Sequence, residues 1–194
     1  MIIDSGGANL ASLVFALERL EARARVSSSP AEIARAERVI LPGVGCASDA
    51  MQRLRAAGLA ERLAALRQPV LGICLGMQLL YHHSAEGPTE CLGVLPGRVE
   101  RLSPGPGLPV PHMGWNQLAI STPDPLLEGI KSGEYVYFVH SYAAPCSPVT
   151  LAAARYGADL AAVVRRGNFW GTQFHPERSG RTGRRLLANF LEAP

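Results

Sequence analysis

The sequence has few aromatic residues, a single lysine among 19 basic side chains, and no long apolar run. Only 6% of its residues are aromatic, and the net charge is +3. A nucleic-acid-binding domain usually carries a basic stripe interleaved with aromatics, so nucleic acid is not expected as a partner. No stretch approaches the roughly 18 apolar residues of a membrane-spanning helix, and the N-terminus does not resemble a secretion signal. We therefore expect a cytoplasmic protein without membrane contact.

Cysteine is also sparse. The four cysteines are Cys46, Cys74, Cys91 and Cys146, and no two of them form a C-x-x-C pair. This spacing argues against both a zinc knuckle and a disulfide scaffold, and no set of metal ligands stands out elsewhere. We expect no metal and no organic cofactor.

Apolar residues make up 47% of the 194 residues, which suits one domain spanning residues 1–194. In the first 90 residues, apolar strands at 1–3, 38–41 and 69–73 alternate with helical stretches at 10–20, 51–66 and 75–81. This alternation predicts an α/β fold, a three-layer αβα arrangement around a mostly parallel, flavodoxin-like sheet. Short strand candidates separated by Pro- and Gly-rich turns then predict an added antiparallel section, followed by a helix near 180–191.

The sequence Gly72-Ile73-Cys74-Leu75-Gly76 lies where a predicted strand passes into a helix. A glycine two residues to either side of a central cysteine is typical of a nucleophile elbow, whose tight turn leaves no room for side chains. Such an elbow exposes the sulfur and points the N–H of Leu75 toward an oxyanion. The alternative is a buried cysteine between two packing glycines.

A base and a carboxylate follow at the end of another predicted strand, in His175-Pro176-Glu177. In an extended segment His175 and Glu177 point the same way, so the carboxylate can fix the tautomer of the imidazole. A structural histidine is the alternative. His82 and His83 are predicted to be exposed residues at the end of the helix that follows Cys74.

Two glycine-containing loops also follow predicted strands. Pro42-Gly43-Val44-Gly45 offers backbone N–H groups for a second half of an oxyanion hole, and it lacks the third glycine of a dinucleotide-binding turn. The loop that begins at Asp4 has no phosphate-loop lysine, so nucleotide binding is not expected. The cluster Arg178, Arg181, Arg184 and Arg185 is interpreted as a solvent- or partner-facing surface rather than a phosphate patch.

The motifs at 72–78 and 174–177 together resemble the triad (class I) glutamine amidotransferases. Three further stretches, 41–45, 111–116 (Pro-His-Met-Gly-Trp-Asn) and 137–142 (Tyr-Phe-Val-His-Ser-Tyr), are similar to the glutaminase subunits of imidazole glycerol phosphate synthase. The resemblance runs from Asp4 to Phe190, and 111–116 is its most specific part.

The resemblance implies a Cys74–His175–Glu177 triad that hydrolyses glutamine through a thioester, with an oxyanion held by the N–H groups of Val44 and Leu75. By the same resemblance, the glutamine-binding residues would be Gly45, Gln78, Glu86, Ser141 and Tyr142. The ammonia would pass to a separate (β/α)8 cyclase subunit in a heterodimer. The residues implied to face that cyclase are Asn9, Trp115, Tyr137 and Arg178.

The chain departs from the family pattern in two places. The usual Asp-Tyr-Gly start reads Asp4-Ser5-Gly6-Gly7-Ala8-Asn9, and the usual lysine after His-Pro-Glu is Arg178. Both changes concern docking, because arginine keeps the charge of lysine but not its shape. The alternatives are a glutaminase subunit serving anthranilate or vitamin B6 synthesis, a non-catalytic binding subunit, and a cysteine peptidase.

Overall fold

A computed structural model describes residues 1–4 and 10–193. The α-helices are α1 (Leu10–Glu18), α2 (Pro30–Ala34), α3 (Ala47–Ala56), α4 (Ala60–Ala64), α5 (Leu75–Leu79) and α6 (Gly180–Glu192), with 3-10 helices at Pro125–Leu127 and Pro176–Arg178. The strands are β1 (Ile2–Ile3), β2 (Val26–Ser27), β3 (Val39–Leu41), β4 (Val70–Ile73), β5 (Tyr81–Ser84), β6 (Thr89–Glu90), β7 (Leu95–Arg101), β8 (His112–Gln117), β9 (Ala119–Ile120), β10 (Tyr135–His140), β11 (Tyr142–Ala143), β12 (Thr150–Tyr156), β13 (Ala158–Arg166) and β14 (Phe169–Thr172).

The central sheet has eight strands in the order β2-β1-β3-β4-β14-β13-β12-β9. The strands from β2 to β14 are parallel, whereas β13, β12 and β9 extend the sheet in antiparallel pairs. This confirms the predicted α/β fold with an added antiparallel section. Because β4 and β14 are neighbours with Ile73 opposite Thr172, the residues that follow them, Cys74 and the His175 segment, leave the sheet at the same edge.

Buried apolar residues form one core on each face of the sheet, which gives the three layers. One core joins α1 and α6 to Leu71 and Ile73 of β4. The other joins α3, α4 and α5 to Val70 of the same strand. Alternate residues of β4 therefore serve opposite cores, as the two-residue period of a strand requires. Because both faces of the strand are buried, nearly all of its residues are apolar, which explains the continuous apolar run in the sequence.

Two smaller sheets lie beside the central one. In the first, β8 and β10 pair antiparallel, with His112 opposite His140 and Trp115 opposite Tyr137. The second has the order β11-β7-β5-β6. Of the helices in residues 1–4 and 10–193, none is long and apolar enough to cross a bilayer.

Several local predictions were wrong. The helix predicted over 51–66 is two helices, α3 and α4, because the chain turns at Gly58, which has a φ of +64°. The helix after Cys74 ends at Leu79, and His82 and His83 lie in β5 rather than at a helix terminus. The short elements β2 and α2 were not predicted, since two to five residues carry too little periodicity to be recognised.

Candidate active site

Cys74 occupies a sharp turn between β4 and α5. Its backbone has φ 53° and ψ −111°, an unfavourable conformation for a residue with a side chain. A methyl group at residue 72 would lie 2.7 Å from the carbonyl oxygen of Gly76, and one at residue 76 would overlap the carbonyl oxygen of Leu41. Both glycines are therefore needed for the turn. This is the close packing that the sequence predicted for a nucleophile elbow.

The overlap at residue 76 leads to a stability prediction. We expect Gly76→Ala to lower the free energy of unfolding by about 3 kcal/mol, because the backbone of β3 must move to admit the methyl group. Urea unfolding of the isolated chain measures this change. Gly105→Ala is the matched control, since its methyl group would meet only ordinary contacts at 3.6 Å from Leu108. Equal unfolding midpoints for Gly76→Ala and the wild type would contradict the prediction.

The sulfur of Cys74 is nearly buried and has polar neighbours. The residue is 8% exposed, and its Sγ lies 3.7 Å from the carbonyl oxygen of Val139. The Nε2 group of Gln173 donates to Sγ, also at 3.7 Å. His175 lines the same cavity, and its interaction with Cys74 raises the pKa of its imidazole, which places a base beside the thiol. A nucleophile with an adjacent base is the arrangement that covalent catalysis requires.

The imidazole of His175 is in turn held by a carboxylate. Its Nδ1 lies 2.8 Å from Oε1 of Glu177. The contact agrees with the sequence analysis, but the predicted extended backbone holds only at His175 (φ −96°, ψ 99°), because Pro176 begins a 3-10 helix, Pro176–Arg178. Proline fits the first position of a helix because it has no N–H to leave unpaired. The helical turn then brings the carboxylate of Glu177 back to the imidazole ring.

Burial on its own would lower the pKa of His175. The interactions of the imidazole with Cys74 and with the accepting carboxylate of Glu177 outweigh burial, and the pKa of His175 rises to about 10. These surroundings therefore make the imidazole of His175 a stronger base than a free histidine side chain. For the mechanism, the important result is the direction: His175 can take the thiol proton at neutral pH.

Backbone contacts fix the segment that carries His175. Its N–H donates to the carbonyl oxygen of Tyr137 at 3.0 Å, and the Ser179 hydroxyl donates to its carbonyl oxygen at 2.7 Å. The same hydroxyl accepts the N–H of Tyr137 at 2.9 Å. The base is thus tied to β10 on two sides.

A cavity of about 460 Å³ opens beside the Cys74 sulfur. Its wall contains all three triad candidates, both proposed oxyanion donors (Val44 and Leu75), and all five residues implied to bind glutamine. The size is suitable for a small metabolite. The structure thus brings together the substrate-side residues that the sequence singled out, from five separate parts of the chain.

Two of these residues are held firmly. Gln78 Nε2 donates to the carbonyl oxygen of Tyr142 at 2.7 Å and to Oε1 of Gln173 at 3.0 Å. One carboxylate oxygen of Glu86 accepts the N–H of Ala47 at 2.8 Å, at the start of α3. Burial raises the pKa of Glu86, and the Ala47 bond opposes this rise.

Three of the residues implied to face a partner lie together, and one of them, Arg178, also lines the cavity. The rings of Trp115 and Tyr137 pack edge to face at 5.8 Å, and the Arg178 guanidinium lies 5.9 Å from the centre of the Tyr137 ring. Met113 and Trp115 are 62% and 55% exposed, which is unusual for such large apolar side chains. Asn9 lies outside the described residues.

Sequence reasoning missed three features of the site. Gln173 contacts both Cys74 and Gln78. It was overlooked although it directly precedes the recognised Phe174-His175 motif. The carbonyl oxygen of Val139 could not be identified, because backbone groups leave no trace in side-chain patterns. His140 lines the pocket, and only its place between Val139 and the implied Ser141 pointed to it.

In the described part of the chain, no group of three or more His, Cys, Asp or Glu side chains could hold a metal ion.

Comparisons with known proteins give matches over nearly the whole chain. The model of the family "Glutamine amidotransferase class-I" matches residues 1–193. The chain is 56% identical to the imidazole glycerol phosphate synthase subunit HisH of Xanthomonas euvesicatoria and 52% identical to that of Xylella fastidiosa, in each case over 98% of this chain and 96% of the relative.

Among solved structures, the fold is similar to a glutamine amidotransferase with a TM-score of 0.75 at 24% identity, covering 98% of this chain and 96% of the other. A glutamine amidotransferase of Thermotoga maritima gives a TM-score of 0.67 at 17% identity, covering 98% and 81%. At these identities the likeness supports the fold alone.

Proposed function

Since the chain belongs to the class-I glutamine amidotransferases, and within them to the HisH subunits of imidazole glycerol phosphate synthase, we propose that it hydrolyses L-glutamine and passes the ammonia to a cyclase subunit. The cyclase uses that ammonia to make imidazole glycerol phosphate and the by-product AICAR in histidine biosynthesis. One observation carries the proposal. A nucleophile (Cys74), a base (His175) and the carboxylate that holds the base (Glu177) are neighbours on the wall of one cavity.

The reaction begins with proton transfer from the Cys74 thiol to Nε2 of His175. The sulfur attacks the side-chain amide carbon of glutamine, and the carbonyl oxygen becomes an oxyanion that accepts the N–H groups of Leu75 and Val44. The C–N bond then breaks, and His175 returns the proton to the leaving ammonia. A water molecule, deprotonated by His175, attacks the thioester, which releases glutamate and restores the thiol.

The polar groups of the pocket suit the rest of the substrate. Glu86 and Glu177 are the two carboxylates among the described lining residues, and Glu177 is engaged by His175. Glu86 therefore carries the negative charge available for the ammonium group of glutamine. Gln78, Ser141, Tyr142 and Gly45 supply the remaining polar contacts and the space for close approach.

The partner belongs to the proposal as well. The exposed side chains of Met113 and Trp115, with Tyr137 and Arg178, form the surface for a (β/α)8 cyclase in a heterodimer. Burial of these apolar side chains stabilises the complex, and the position of Arg178 on the cavity wall makes this side the exit for ammonia. Residues 1–194 act as one glutaminase domain, and a cytoplasmic location stays a prediction of the sequence.

Glutamate release from glutamine tests the proposal. The assay is run with the chain alone, with the cyclase subunit, and with the cyclase plus its nucleotide ligand. We expect low release alone and a strong rise with the liganded cyclase, because the partner closes the exposed side of the pocket. High release that the cyclase does not change would contradict the pathway assignment, whereas no release in any arm would contradict the glutaminase itself.

A further inference from the structure

The motif at 111–116 contains two residues, His112 and Asn116, to which the reaction above gives no task. They belong to a row of hydrogen bonds that ends at the glutamine pocket. Nδ1 of His140 lies 2.9 Å from the carbonyl oxygen of Tyr142, and Nε2 of His140 lies 3.1 Å from Nδ1 of His112. Nε2 of His112 lies 3.4 Å from Nδ2 of Asn116, which also donates to the carbonyl oxygen of Arg155 at 2.9 Å.

The hydrogen-bonding groups at the two ends of the row determine which ring nitrogen of each histidine carries the hydrogen. The carbonyl of Tyr142 only accepts, so Nδ1 of His140 carries the hydrogen. In the neutral ring Nε2 must then accept, and Nδ1 of His112 donates to it. Nε2 of His112 is left as the acceptor for the amide of Asn116. All hydrogen bonds thus run in one direction, from Asn116 through His112 and His140 to Tyr142.

A second hydrogen on either imidazole ring would set two N–H groups against each other. A hydrogen on Nε2 of His140 would face the N–H of His112, and one on Nε2 of His112 would face the amide hydrogens of Asn116. Burial also lowers the pKa of both rings, to about 4, and His112 and His175 are the titratable groups whose charges act on His140. The row keeps His140 neutral beside the catalytic imidazole.

The end of the row is shared with the pocket. The Tyr142 carbonyl that accepts from His140 also accepts from Gln78, and Gln78 contacts Gln173, which donates to the Cys74 sulfur. We infer that Asn116, His112 and His140 are positioning residues that hold the 140–142 corner in the shape that binds glutamine. This inference rests on the proposed function.

Two substitutions at His112 separate positioning from packing. The ring of His112 lies between Phe138, at 4.8 Å, and Tyr156, at 3.9 Å. His112→Phe keeps this stack and removes the donor to His140. His112→Asn loses the stack, but its amide can occupy the place of Nδ1 and donate.

Glutamine hydrolysis is measured with the liganded cyclase, alongside thermal melting of each variant. We expect His112→Phe to melt near the wild type and to show a KM for glutamine raised about threefold to tenfold, the range that loss of one neutral hydrogen bond gives, with kcat within about twofold. His112→Asn should melt at lower temperature yet keep a KM within about twofold of the wild type. An unchanged KM in His112→Phe, or an equal KM increase in both variants, would overturn the inference.

Nitrogen NMR of the histidine-labelled wild type tests the row without glutamine or cyclase. We expect both rings in the neutral form with hydrogen on Nδ1 from pH 8 down to about pH 5. Hydrogen on Nε2 of either ring, or protonation near the ordinary pKa, would overturn it. Wild-type chain that shows the expected spectrum but releases no glutamate would contradict the proposed function and leave the row itself intact.

Discussion

Replacing the Cys74 thiol with hydrogen is expected to abolish glutamine hydrolysis and leave the fold in place. In Cys74→Ala no atom remains beside His175 that can form the thioester, and loss of a catalytic nucleophile typically lowers turnover by at least about 10⁴-fold. The fold should tolerate the change, because the elbow depends on Gly72 and Gly76 rather than on the sulfur. Glutamate release with the liganded cyclase measures the loss, and thermal melting checks the fold.

Cys146→Ala provides the matched control for that experiment. Cys146 is a free, exposed cysteine that does not line the cavity, so its removal should leave turnover unchanged. Co-elution of Cys74→Ala with the cyclase shows that the docking surface is intact. Substantial turnover by Cys74→Ala in that complex would show that another residue is the nucleophile.

The sequence was most informative where a residue has a steric reason to be there. Gly72 and Gly76 flank Cys74 because methyl groups at these positions would strike backbone atoms, so the elbow could be predicted from five letters. The buried strands β3 and β4 could be predicted because both faces of each are apolar. The break between α3 and α4 could not, since Leu59 and Leu63 continue the apolar spacing across the turn at Gly58.

The contact between His175 and Glu177 was predicted for a partly incorrect reason. An extended segment was expected to align His175 with Glu177, whereas a 3-10 turn aligns them. Both geometries place residues i and i+2 within reach, so the pattern of side chains does not distinguish between them. Contacts that use the backbone, such as the Val139 carbonyl beside the sulfur, depend on how distant strands pack together, and no pattern of side chains in the sequence shows them.

A second large loss of turnover is expected when the base His175 is removed but the hydrogen bond to Glu177 is kept. In His175→Asn the shorter amide can still donate to Oε1 of Glu177 from the place of Nδ1, but no imidazole nitrogen remains beside the Cys74 sulfur. The thiol then loses its proton acceptor, and the leaving ammonia loses its proton donor. Because both halves of the reaction use His175, kcat should fall by about 10³-fold or more.

Two measurements on His175→Asn separate the base from its surroundings. Glutamate release with the liganded cyclase gives kcat, and the rate of Cys74 alkylation by iodoacetamide at pH 7 reports how readily the thiol gives up its proton, with Cys74→Ala as the background. Both should fall. His82→Asn makes the same chemical change at an exposed position in β5 and should alter neither rate. If alkylation of His175→Asn stayed at the wild-type rate while hydrolysis was lost, His175 would serve only the protonation of ammonia, and another group would activate the thiol.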